Sequence, residues 1–108
     1  MTTFGKLVRD RIPKIIEAEG RRPLVEVLSP ADYREALLAK LIEETAELTS
    51  AGGDAFLDEL ADVFEVLRSL AEQAGISVEQ IVERAEGKGV ERGRFRERLF
   101  LVRVDPEP

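Results

Sequence analysis

Cysteine, histidine and tryptophan are absent from this chain, and its 108 residues include only one tyrosine and five phenylalanines. Without cysteine there is no disulfide and no thiolate nucleophile. Without histidine there is no imidazole for acid–base work, and zinc sites of the Cys/His kind are excluded with it. Long apolar runs are missing as well: no stretch approaches the roughly 20 residues that span a bilayer. The opening MTTFGKLVRDR carries no apolar h-region, so the expected location is the cytoplasm. A net charge of −6 argues against a duplex-binding surface, which needs clustered Lys and Arg. Neither nucleic acid nor a membrane is therefore an expected partner.

What is present fits a folded protein: 44% of residues are hydrophobic and 35% charged. The expectation is one domain over residues 1–104, followed by a loose tail at 105–108. A chain of this length buries only a modest core, so self-association is a natural supplement. Charge is unevenly placed. Lys6, Arg9, Arg11, Lys14, Arg21 and Arg22 crowd the first quarter, and Lys88, Arg92, Arg94, Arg96 and Arg98 the last. Carboxylates dominate the middle. Basic ends around an acidic centre suit a metal–polyphosphate substrate, although a solvated surface accounts for most such residues taken singly.

Start and stop signals predict four helices. Asp10 is placed to cap a first helix through about Ala18, with Pro13 in its opening turn and Gly20 beyond its end. Leu24 to Leu28 alternates and reads as a short strand. Ser29-Pro30 starts a second helix, which Gly52-Gly53 breaks after about Ala51. Asp54 caps a third helix running to Ala74, before Gly75. Ser77 and Gln80 form a capping box for a fourth, expected to end or fray at Gly87 and Gly89. Leu99 to Val104 reads as a second strand. The fold class is thus mainly α: an antiparallel hairpin at the heart of a four-helix-bundle-type core, with two short flanking strands.

The central helices carry apolar stripes at 3,4 spacing: Leu37, Leu41 and Leu48 on one, Phe56, Leu60, Val63, Leu67, Leu70 and Ala74 on the other. Glu44 interrupts the first stripe. At about 100° per residue, Glu44 and Glu47 lie roughly 60° and 120° from Leu41, on the same side. Glu59 and Asp62 take matching offsets of about 60° and 120° from Phe56. Asp58, Glu65 and Glu72 fall toward the opposite, solvent side. If the helices pack through their stripes, four carboxylates converge along one edge. Shielded from water they repel one another, and a divalent cation removes the conflict. An all-oxygen site favours Mg²⁺ or Mn²⁺, and magnesium usually shares its shell with substrate phosphates. Glu43, about 40° beyond Glu47, is placed to orient or deprotonate an attacking water. The plainer alternative is a solvated acidic helix face paired with basic neighbours.

K-L-I-E-E-T-A-E-L at Lys40–Leu48, followed by E-L-A-D at Glu59–Asp62, resembles the E-E-x-x-E…E-x-x-D signature of MazG-like all-α nucleoside triphosphate pyrophosphohydrolases. With K-L-V-R-D-R-I-P-K-I-I at Lys6–Ile16 and E-R-G-R-F at Glu91–Phe95, the resemblance narrows to the small phosphoribosyl-ATP pyrophosphohydrolase-like branch. It implies hydrolysis between the α- and β-phosphates, metal ligands at Glu44, Glu47, Glu59 and Asp62, and a dimer or tetramer sharing a helical bundle. Some relatives clear damaged nucleotides and others act in histidine synthesis. Phosphoribosyl-ATP hydrolysis, or a non-enzymatic dimerisation module of the same fold, are the competing readings. Lys6, Arg9, Arg11, Lys40, Lys88 and Arg92 are the candidate phosphate ligands. Arg9 has an alternative as an ion-pair partner of Asp10, and Lys40 as one of Glu44. The chain departs from the branch where Gly93 is followed by Arg94 instead of a second glycine.

Overall fold

The computed structural model describes residues 5–106 and is mainly helical: α1 (Ile12–Ala18), α2 (Pro30–Ser50), α3 (Asp54–Gln73) and α4 (Val78–Arg92). These residues fall into two compact units, one ending at Ser77 and the other beginning at Val78. Among the described residues no helix is long and apolar enough to cross a membrane.

In the first unit, helix ends follow local chemistry. Ser29 caps α2, its Oγ accepting the Asp32 amide at 3.2 Å, and Pro30 occupies the first turn, where no amide is needed. The caps of α1 and α3 differ from expectation. Arg11, not Asp10, holds the N-cap position of α1, with no side-chain cap bond. Gly53 holds that of α3, so Asp54 is the first helical residue, where its charge faces the positive helix end. Both α1 and α3 stop in the same way. Gly20 (φ 82°) and Gly75 (φ 73°) adopt a left-handed conformation that costs a Cβ-bearing residue energy. The next amides then reach back: Arg21 N to Ile16 O at 3.2 Å and Ile76 N to Ala71 O at 2.8 Å.

Helix α2 packs against α3. Gln73 near the end of α3 donates to the Pro30 carbonyl at the start of α2 (2.6 Å), so the two helices run antiparallel. The buried seam is short. Leu37, Val66 and Ala71 are the buried apolar residues described, and Glu44 (6% exposed) is buried among them. The seam is therefore turned from the expected stripe: Phe56, Leu60, Phe64 and Leu67 of α3 remain more than two-fifths exposed. Spaced at 4, 4 and 3, these four share a helix face within about 80°.

The second unit contains α4, which runs through Gly87 and Gly89 to Arg92 instead of ending there. Two glycines cost about 1 kcal/mol each relative to alanine, but neither forbids helical backbone. Neither expected strand forms among the described residues. Residues 24–28 and 99–104 are irregular and exposed, Leu24 and Val27 almost wholly so. Alternation supplies the pattern of a strand, but a strand also needs a neighbouring backbone to bond. Of the expected loose tail, Asp105 accepts from Arg103 at 2.8 Å; residues 107–108 lie outside the described residues.

Candidate metal centre

The antiparallel hairpin brings acids of α2 and α3 together. One carboxylate oxygen each from Glu44, Glu59 and Asp62 lies within 4.8 Å of the others, a grouping that can hold a metal ion. Glu44 Oε2 and Glu59 Oε2 are out of contact with solvent and accept no hydrogen bond. A buried carboxylate oxygen without a donor is costly, because it loses water and gains nothing. The all-oxygen donor set suits a hard cation. Glu47, one turn from Glu44, stands outside this trio and is exposed, but its charge acts on Glu59.

Desolvation raises the pKa of Glu59 from its ordinary 4.5, and the charges of Glu47, Glu44 and Asp62 push it further. The folded protein thus keeps the Glu59 proton to a higher pH than the unfolded chain. By linkage, the benefit is fully present below the unfolded value and is lost as pH rises through the folded one. In chelator, wild type is expected to lose stability relative to Glu59→Gln as pH climbs from 4.5 toward neutrality. Parallel thermal melts of the two proteins check this, and an unchanging gap would contradict it.

Basic side chains surround the acids. Arg9 donates to Asp62 Oδ1 at 2.8 Å, and Lys40 Nζ stands 3.3 Å from Glu44 and 3.4 Å from Glu43. Lys6 reaches Glu43 at 3.5 Å, leaving that carboxylate between two ammonium groups. Arg9 therefore pairs across the fold, not with its neighbour Asp10, whereas Lys40 does make the i, i+4 contact. A cleft of about 800 Å³ runs beside the trio, lined by residues 6–12 on one side and by α2 and α3 on the other. Arg11 lines it too, while Lys88 and Arg92 lie on α4 in the second unit.

Two acids read as solvent-facing, Glu65 and Glu72, also line the cleft, and Glu65 is bonded to Arg68. Measured from Asp62, they sit about 60° and 80° to one side, so they continue its face along α3. Measuring from Phe56 hid this, because Phe56 is not at the centre of the buried seam. Val66 joins them in the cleft wall from the same α3 face, and Tyr33 from α2, one turn before Leu37.

No family model matches the chain, and no solved structure matches it. Over 48 residues the chain is 56% identical to an uncharacterized protein of Mycolicibacterium smegmatis. That match covers 44% of this chain and 49% of the relative, so the chain spans about half the length of the curated relative it matches.

Proposed function

We propose that this protein is a magnesium-dependent nucleotide pyrophosphohydrolase, cleaving a nucleoside triphosphate between its α- and β-phosphates to give the monophosphate and pyrophosphate. The observation that carries the reading is Glu44: a carboxylate 6% exposed, in an apolar seam, with Oε2 lacking any donor and one oxygen within 4.8 Å of a carboxylate oxygen of Glu59 and of Asp62. Lys40 meets one oxygen of this acid at 3.3 Å, and the other is costly to bury unless a cation completes it. Mg²⁺, with Mn²⁺ as a substitute, fits the oxygen-only donors, and the E-E-x-x-E resemblance makes Glu47 the candidate for a further ligand. Such an ion would polarise a phosphoryl oxygen and acidify an attacking water. Glu43, held by Lys6 and Lys40, would be the residue placed to orient that water.

The substrate class rests on the cleft. Lys6, Arg9 and Lys40 supply positive charge for a polyphosphate beside the acids, while Tyr33 is the aromatic side chain on the same cleft wall that a nucleoside could meet. The resemblance of the E-E-x-x-E…E-x-x-D pattern supports the same chemistry.

The assembly proposed is a homodimer or homotetramer. The exposed face of Phe56, Leu60, Phe64 and Leu67 is a surface that a monomer leaves in water at a cost. A second hairpin packed there would complete the four-helix-bundle arrangement.

The test is a panel of canonical and modified triphosphates, assayed separately for pyrophosphate and orthophosphate. Pyrophosphate release that requires Mg²⁺ and falls at least about 100-fold in Asp62→Asn is expected, since a lost ligand costs several kcal/mol of charge stabilisation. Orthophosphate release, or turnover indifferent to EDTA, would overturn the reading. Activity confined to phosphoribosyl-ATP would narrow the substrate within the same chemistry.

A further inference from the structure

Resting on the cation reading of Glu44, Glu59 and Asp62, we infer that Arg9 competes with the cation for Asp62 and passes to the substrate's phosphates when the cation binds. Arg9 comes from the stretch before α1 and crosses the fold to donate to Asp62 Oδ1 at 2.8 Å. Its side chain is 58% exposed, and residues 6–9 are neither helix nor strand. The guanidinium can therefore leave without disturbing a packed element.

Geometry sets the conflict. A magnesium ion sits about 2.1 Å from a carboxylate oxygen, so with Arg9 on that oxygen the two positive centres are at most about 5 Å apart. Charge sets the direction of exchange. Among the described residues the trio has two positive partners at hydrogen-bond or ion-pair range, Arg9 and Lys40, and Lys40 is shared with Glu43. A divalent cation in place of Arg9 adds one positive charge to this acidic group. The second observation beyond the acidic cluster is the orphaned Oε2 of Glu44, more than nine-tenths buried, which the Arg9 pair leaves without a partner.

The displaced guanidinium remains on the cleft wall, within reach of phosphates carried on the same cation. A guanidinium suits that acceptor because its paired N–H groups match phosphate oxygens. Cation and polyphosphate thus favour each other's binding, and the coupling is reciprocal. Empty, the site is closed by its own arginine. Loaded, it presents that arginine to the substrate.

Calorimetric Mn²⁺ titration of wild type, Arg9→Gln and Arg9→Lys tests the exchange. Loss of a half-exposed ion pair of this kind is worth roughly a 1.5- to 5-fold tightening, so Arg9→Gln should bind Mn²⁺ more tightly by that factor. Arg9→Lys, which keeps the charge, should stay near wild type. At saturating Mn²⁺, Arg9→Gln should bind inorganic phosphate several-fold more weakly than wild type. Equal or weaker Mn²⁺ binding by Arg9→Gln would show that Arg9 only orients Asp62, and equal phosphate binding would remove the hand-over; either overturns the inference. Absence of Mn²⁺ binding in all three proteins would instead remove the cation reading and this inference with it.

Discussion

Glu44→Gln is expected to lower magnesium-dependent turnover by about 10³-fold while making the metal-free protein more stable. Both effects arise from the same carboxylate. Its 6% exposure and orphaned Oε2 place a charge where water cannot reach it, with one oxygen within 4.8 Å of a carboxylate oxygen of Glu59 and of Asp62. Gln keeps the shape, removes the charge and adds an N–H that can donate to those acids. The repulsion that raises the Glu59 pKa is reduced with it. A structural carboxylate would behave differently. If Glu44 served only to hold Lys40, at 3.3 Å, the amide would weaken that contact and lower stability. A melt in chelator beside a turnover assay separates the two: function and stability move in opposite directions only if the acid serves a cation.

Leu37→Ala is expected to cost about 2–5 kcal/mol, the range for emptying a buried leucine site. Leu37 is 2% exposed and is the most buried of the apolar residues described in a core with few such members. At roughly 4–8 °C per kcal/mol for a domain near this size, the melting temperature should fall by about 8–40 °C. Leu37 also lines the cleft, two turns before Glu44, so the cavity opens beside the carboxylates. A shift below about 3 °C would mean that the hairpin seam does not run through Leu37.

The helices were legible because their punctuation is local. Ser29-Pro30, Gly20 and Gly75 act within a few residues, and the structure uses each as its chemistry suggests. Three of the four expected carboxylates meet for a similarly simple reason: acids three residues apart stay on one side of a helix, and an antiparallel partner brings its own pair opposite. What was not legible depends on distant residues. The bond from Arg9 to Asp62 spans 53 positions, and no periodicity encodes it. The centre of the α3 seam depends on how α2 rolls against it, which moved Val66 inward and left Phe56 and Leu60 exposed. That roll also carried Glu65 and Glu72 into the cleft wall. The alternating segments near Leu24 and Leu99 had strand composition without a paired backbone, and α4 outlasted its two glycines.

Mn²⁺ titration of wild type against Glu44→Gln, read by calorimetry in the absence of nucleotide, tests most directly whether a cation is held between α2 and α3. Saturable binding to wild type that is lost or weakened at least about 100-fold in Glu44→Gln is the predicted result. Equal binding by the two proteins, or none by wild type at millimolar Mn²⁺, would contradict it.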